Sequence, residues 1–336
     1  MFKRPHLRAA KRLVNAPFTL SLLFLAAACS PGQQPVEEEV AEPPVESVDP
    51  GDPEGLFLPS VWQTNDLGTP ITSVAIAGAL GSTVAVTFED GGLQFVDLDG
   101  ERVTDKSDIG VAAVADGRFL LLQGTPVTLF PGITTSGDLS LYLHGGELTE
   151  PLPYPLEAGI DGYIEGLCSA PPLDESDGVM RIGFWTQIER RVLQTGRLVE
   201  VGDNLVLLLN EPVAAARDIS ACVLSEDGAV VYSEPAVAVS EIKNRSKTYR
   251  FLLDDLGGYS LTTEDGAVQN FTVSEGITVR PPALPTDMAG TGDARGGGYP
   301  GGVIVVGGEN EYGHHTVTYI DPSKVTLQPF GYAPSE

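Results

Sequence analysis

Carboxylates are the side chains of this sequence with the most evident capacity for chemistry. The 336 residues include 46 Asp and Glu against 20 Lys and Arg, which gives a formal net charge of −26 at pH 7. Several carboxylates gathered in one place would bind a hard cation such as Ca²⁺. Binding to nucleic acid requires clustered basic side chains, so the same imbalance argues against nucleic acid as a partner.

The first 28 residues have the opposite charge. They carry five basic side chains, no acidic one, and an apolar stretch from Phe18 to Ala28. This pattern is typical of a secretory signal, and the apolar stretch is shorter than the ~20 residues that span a bilayer. The segment ends in Leu25-Ala26-Ala27-Ala28-Cys29, which resembles a bacterial lipobox and predicts lipidation of Cys29. Cleavage of an ordinary secretory signal near the same alanines is the alternative.

Residues 29–55 form a second block, in which the predicted lipidated Cys29 is followed by an acidic, proline-rich segment. It contains eight acidic residues and no basic one, which predicts a disordered tether between membrane and folded domain. In lipoproteins of this kind, a residue other than Asp after the cysteine indicates the outer membrane, and here that residue is Ser30. We therefore expect an outer-membrane lipoprotein that faces the periplasm or the exterior.

Residues 56–336 are predicted to form one all-β domain. Asp-Gly pairs, which suit tight hairpin turns, recur along this part of the chain and separate short apolar runs. The pairs begin at residues 90, 99, 116, 177, 227 and 265. The predicted strands are Thr83–Phe88, Leu93–Leu98, Phe119–Leu122, Leu205–Leu209, Ala229–Tyr232, Val303–Val306 and Thr316–Ile320.

An internal repeat narrows the choice among all-β folds. Tyr163–Cys168 and Asp218–Val223 share a pattern, and Asp287–Gly290 echoes it more weakly. A unit of four short strands takes about 40–50 residues, so the domain has room for about six units. A six-bladed β-propeller is therefore predicted, with a pair of β-sandwich domains as the alternative.

The repeat also bears on Cys168 and Cys222. Equivalent places in neighbouring repeats put both cysteines on matching strands near the propeller axis, where cysteine is commonly buried as a small apolar residue. An exported protein also permits a disulfide. We expect unpaired, buried thiols here, with a Cys168–Cys222 disulfide as the alternative.

Several segments resemble blades of the bacterial β-propeller phytases. The resemblance rests on Glu165-Gly166-Leu167-Cys168, and on Ser220-Ala221-Cys222 leading through Glu226-Asp227-Gly228 to Tyr232-Ser233-Glu234. Asp287-Met288-Ala289-Gly290 resembles the family's last blade. The resemblance implies calcium-dependent hydrolysis of phosphomonoesters, phytate foremost, at an acidic mouth of the channel.

The same resemblance assigns roles to individual residues. It implies catalytic roles for Glu165 and Glu234, calcium ligation by Asp287 and Glu165, and binding of a substrate phosphate by Lys243. Ser220 and Ala289 stand where the family has carboxylates. Two functions therefore remain open. One is a phytase-like enzyme acting on a phosphorylated small molecule, and the other is a non-catalytic envelope propeller that binds a protein or glycan partner.

Overall fold

The computed structural model describes residues 55–78, 82–145, 148–244, 247–293 and 298–327. The predicted signal peptide, Cys29 and the predicted tether up to residue 54 lie outside the described residues, so these three predictions stay untested. The described part of the chain is all-β, as expected, and besides strands, turns and loops it contains one 3₁₀ turn at Glu175–Asp177 and one short helix, α1, at Ser323–Thr326. No described helix has the length and apolar character needed to cross a membrane.

The strands form five hydrogen-bonded sheets, and the eight-stranded one comprises two blades joined by the first strand of the domain, so there are six blades, which we call blades 1 to 6 in chain order. Blade 2 has five strands because two short strands, β6 (Val111–Val114) and β7 (Arg118–Leu122), both pair with the long β8 (Thr125–Thr134). In blade 3 the short β15 (Val213–Ala214) extends the sheet beside β13 (Val192–Val201). Blade 1 contains β2 (Ile71–Ala77), β3 (Thr83–Phe88), β4 (Gly92–Val96) and β5 (Ser107–Asp108). Blade 2 contains β6 (Val111–Val114), β7 (Arg118–Leu122), β8 (Thr125–Thr134), β9 (Leu139–Gly145) and β10 (Leu148–Pro155). Blade 3 contains β11 (Ile164–Ala170), β12 (Met180–Thr186), β13 (Val192–Val201), β14 (Asn204–Leu209) and β15 (Val213–Ala214).

Blade 4 has only two described strands, and blade 6 is completed by the first strand of the domain. That strand, β1, pairs antiparallel with β24 of blade 6 and also runs parallel to β21 of blade 5, so it ties the two blades together. Blade 4 contains β16 (Ala221–Ser225) and β17 (Gly228–Tyr232). Blade 5 contains β18 (Ala236–Asn244), β19 (Lys247–Asp254), β20 (Tyr259–Thr263) and β21 (Val268–Ser274). Blade 6 contains β22 (Leu284–Thr291), β23 (Val303–Glu309), β24 (His315–Ile320) and β1 (Leu56–Gln63).

The first strands of the blades form a closed ring. The strand β2 contacts β22 on one side and β6 on the other, β11 contacts β8 and β16, and β18 contacts β16 and β22. A ring of six blades closed by a strand from the other end of the domain is a six-bladed β-propeller, so the predicted fold class is confirmed. The strands that contain the sequence repeat, β11, β16 and β22, are all innermost strands.

The hydrophobic core is divided among the blade junctions. Five clusters of buried apolar side chains lie between neighbouring blades. Each blade thus buries the apolar faces of its sheet against the next blade. The junction of blades 4 and 5 is held by polar contacts. Glu241 accepts hydrogen bonds from Arg250 Nε at 2.9 Å and from the Ser225 hydroxyl, and that hydroxyl accepts from Arg250 Nη2 at 3.1 Å.

Most of the predicted strands and turns are confirmed. Five of the six Asp-Gly pairs form turns in which glycine has a φ between +74° and +131°, a region that other residues rarely adopt. The exception is Asp116-Gly117, where φ is not left-handed. A Cβ at Gly117 would lie 2.6 Å from the Phe130 ring, so this glycine permits close packing of blade 2. The prediction of a hairpin turn at Asp116 is therefore wrong.

Candidate functional site

Two adjacent spaces lie along the axis of the ring. The first, the central cavity, has a volume of about 240 Å³ and is lined by innermost strands of all six blades. The second, the mouth cleft, has a volume of about 690 Å³ and lies where these strands end. Asp116, Ser169 and Val223 line both spaces.

Two aspartates line the central cavity against a single strand. Asp287 Oδ2 accepts a hydrogen bond from the Val74 N–H at 2.8 Å, and Asp116 Oδ1 accepts one from the Ile76 N–H at 2.9 Å. Both donors belong to the edge of β2 that faces away from β3. The two carboxylates thus join blades 6 and 2 to blade 1. Because alternate residues of a strand are about 7 Å apart, the carboxylates lie near each other.

Burial changes the ionisation of both aspartates. Burial raises the pKa of Asp116 to about 7, against the opposing effect of the Ile76 N–H. Burial likewise raises the pKa of Asp287 to about 7, and the nearby Asp116 adds to that rise, while hydrogen bonds from the Val74 and Met288 N–H groups oppose it. Both carboxyl groups are therefore harder to ionise than an exposed aspartate.

The mouth cleft combines anchored charged groups with apolar surface. Arg181 donates hydrogen bonds to the carbonyl oxygens of Pro171, Leu224 and Ser225 at 2.9, 2.9 and 2.7 Å. Lys243 forms an ion pair with Glu226 at 2.5 Å. The remaining lining includes the charged side chains of Asp116, Arg118, Glu241 and Asp293 and the apolar side chains of Phe119, Pro171, Pro172 and Leu173.

The predicted site residues are divided among three places. Glu165 and Asp287 both line the central cavity, whereas Lys243 lines the mouth cleft. Glu234 is exposed in the turn before Pro235, between β17 and β18, and lines neither space. The structure thus brings Glu165 and Asp287 to one cavity, while Glu234 and Lys243 lie elsewhere.

The residues present do not fit the calcium site that the phytase resemblance implies. Glu165 forms an ion pair with Arg190, and both oxygens of Asp287 accept backbone hydrogen bonds. In the described part of the chain, no group of three or more His, Cys, Asp or Glu side chains is placed to hold a metal ion. The calcium and catalytic roles remain predictions from the sequence alone.

The cysteines correct another expectation. Cys168 of β11 and Cys222 of β16 form a disulfide with a Cα–Cα distance of 5.7 Å, so the prediction of unpaired thiols is wrong. Their equivalent positions on adjacent innermost strands bring the two side chains together. Both cysteines are buried in the cluster between blades 3 and 4, beside Trp185 and Leu193.

Sequence reasoning missed the residues that define the mouth cleft. Arg118 and Arg181 follow no motif, and each is anchored by carbonyl groups of a neighbouring blade or loop. The place of Asp116 in the cleft was not predicted, because an Asp-Gly pair usually marks a turn. No local pattern marks these residues, because their places depend on contacts between blades.

The chain was compared with protein families, curated proteins and solved structures. No protein-family model matches the sequence, and the curated proteins gave no match. The six-bladed β-propeller lectin of Aleuria aurantia, described with a fucose recognition mode, is 10% identical with a TM-score of 0.48, and the match covers 80% of this chain and 100% of the lectin. A triple mutant of AofleA from Arthrobotrys oligospora is 10% identical with a TM-score of 0.45, and the match covers 79% of this chain and 92% of that one.

Proposed function

We propose that this protein is a non-catalytic binding propeller that holds a carbohydrate in the mouth cleft. The observation that carries the proposal is the convergence of strand ends from all six blades on a cleft of about 690 Å³ that combines charged groups with apolar surface. That volume falls within the range of about 300–1,000 Å³ that is usual for ligand pockets.

The chemistry of the mouth cleft suits a sugar. Each hydroxyl of a sugar both donates and accepts hydrogen bonds, and the cleft offers donors on Arg118 and Lys243 and acceptors on Asp116 and Glu241. The C–H faces of a sugar ring need apolar surface. Phe119 and Leu173 provide it, and the Leu173 side chain is 56% exposed.

The polar groups of the mouth cleft are held in place before any ligand arrives. Arg181 is fixed by three carbonyl oxygens, and Lys243 by Glu226, whose carboxylate also raises the pKa of Lys243. Glu241 is fixed by Arg250. Groups that are already ordered lose little conformational entropy on binding, which favours affinity.

Hydrolysis of phosphomonoesters has less support. The two residues with predicted catalytic roles do not share a space, since Glu165 lines the central cavity and Glu234 is exposed outside it. The Glu165 carboxylate also contacts Arg190. The geometry therefore favours binding over the hydrolytic activity that the resemblance implies.

We also propose that the protein is exported and held at the membrane through Cys29. The Cys168–Cys222 disulfide supports export, because disulfides persist in oxidising compartments such as the bacterial envelope. The N-terminal sequence supports the lipid anchor.

Binding to a panel of immobilised neutral and acidic oligosaccharides tests the proposed function. We expect binding to some members of the panel, and Leu173→Ala should weaken it about fivefold, because about 1 kcal/mol of apolar contact is lost. The matched control is Leu256→Ala, since Leu256 is 92% exposed and does not line the cleft. Absence of binding across the panel, or equal losses in the two variants, would contradict the proposal.

A further inference from the structure

Two arginines of the mouth cleft have no carboxylate partner. Among the side chains that the structure describes, no carboxylate lies within 4.0 Å of the Arg118 or Arg181 guanidinium, although residues 56–336 contain 38 acidic against 15 basic residues. Five other arginines have such a partner: Arg190, Arg191, Arg197, Arg250 and Arg280.

Both guanidinium groups are instead anchored by neutral carbonyl oxygens. Arg118 Nη1 donates to the Val179 carbonyl, and Arg181 uses three donors on the carbonyls of Pro171, Leu224 and Ser225. A guanidinium has five N–H donors, so each group keeps donors free. Carbonyl oxygens orient the positive charge without neutralising it.

The carbonyl that holds Arg118 and the residue Arg181 both lie near the start of β12. Val179, which accepts from Arg118, directly precedes β12, and Arg181 is the second residue of that strand. Both side chains line the mouth cleft. The structure thus places two positive groups, each anchored by carbonyl oxygens, in the lining of the cleft, Arg118 at the junction of blades 2 and 3 and Arg181 at the junction of blades 3 and 4.

The surroundings leave this positive charge unsatisfied. Burial lowers the pKa of Arg181, and Glu241 and Glu226 only partly oppose that effect from a distance. Those two carboxylates are themselves paired with Arg250 and Lys243. A half-buried cation without a close counterion favours the binding of an anion.

The anion best suited to these two groups is a carboxylate. A guanidinium fork matches the two planar oxygens of a carboxylate. A phosphate dianion would suffer more repulsion, because Asp116, Glu226, Glu241 and Asp293 also line the cleft and the domain carries a large negative net charge.

We propose that the saccharide bound in the mouth cleft is a uronic acid whose carboxylate is held by Arg118 and Arg181. This inference rests on the proposed carbohydrate function and specifies its ligand class.

Titration calorimetry with trimers of galacturonate and glucuronate, each compared with its fully methyl-esterified form, tests this inference. The ester keeps the sugar skeleton and removes the charge. We expect at least one acid to bind about tenfold more tightly than its ester, with a preference that shrinks as NaCl is raised. Arg118→Gln should weaken binding of the acid much more than binding of the ester, and Arg118→Lys should restore part of the preference.

The control and the outcomes separate the two proposals. Arg217→Gln changes the net charge equally at an exposed arginine outside the cleft and should leave the preference intact. Equal affinities for acid and ester would overturn the uronic acid inference and leave the carbohydrate function standing. Absence of binding by all four trimers would overturn the inference, and the panel experiment would then decide the carbohydrate function. Tighter binding of glucose 6-phosphate than of glucuronate would assign the two arginines to phosphate and also overturn the inference.

Discussion

Reduction of the Cys168–Cys222 disulfide is expected to lower the free energy of unfolding by about 4 kcal/mol. The disulfide closes a loop with a sequence separation of 54 and joins the innermost strands of blades 3 and 4. In the chain-entropy description, a cross-link of this span reduces the freedom of the unfolded chain by about that amount. The effect should be large because blade 4 has only two described strands to hold its place in the ring.

Thermal melting with and without a phosphine reductant measures this effect. For a domain of this size, about 4 kcal/mol corresponds to a decrease of roughly 8 °C in Tm. The control is the double variant Cys168→Ala with Cys222→Ala. Its Tm should equal that of the reduced protein and should not change when the reductant is added. An unchanged Tm after verified reduction would contradict the stabilising role of the disulfide.

Asp116→Asn is expected to make the protein more stable than wild type at pH 8, by about 2 kcal/mol. Burial raises the pKa of Asp116 from 3.8 to about 7, so the folded protein binds this proton more tightly than the unfolded chain does. Stability therefore falls as pH rises from about 4 to about 7 and levels off above that. A shift of about 3 units corresponds to ~4 kcal/mol, which we halve because Asp116 keeps contact with the water of the axial spaces.

Urea unfolding at pH 4.5 and pH 8 tests this expectation. The asparagine amide oxygen can still accept from the Ile76 N–H, so the two proteins should be nearly equal at pH 4.5 and differ at pH 8. Asp227→Asn, in the exposed turn between β16 and β17, makes the same change in net charge and should show no such pH-dependent gain. Ionisation of groups far from residue 116 contributes equally to both proteins, so it cancels in the difference. A loss of stability at pH 8 in Asp116→Asn would contradict a buried carboxylate that is costly to ionise.

The strands were predictable because they depend on local sequence patterns. The number of blades was predictable from the length of the domain and the internal repeat. Apolar runs bounded by Asp-Gly turns gave β3, β14, β17, β23 and β24 within one residue at their first position. The repeat around Cys168 and Cys222 correctly marked innermost strands. Closure by β1 and the two-stranded blade 4 depend on pairing between distant segments, which local patterns do not reveal.

The candidate site was less predictable because it is made at the junctions of blades. Asp116 has the local sequence of a turn, but contact with Ile76 of blade 1 places it on the axis. Arg181 becomes a fixed cation only because carbonyls of blade 4 lie opposite it. Glu234 and Asp287 were matched to one family site by similar sequence, yet only Asp287 faces the central cavity.

A crystal structure of the protein with an oligosaccharide chosen from the binding panel tests the central claim most directly. We predict that the saccharide occupies the mouth cleft, with hydrogen bonds to Arg118 and Arg181 and a sugar face against Phe119 or Leu173. A saccharide bound on the outer surface of the blades, with no contact to the cleft, would contradict the proposed function of this site.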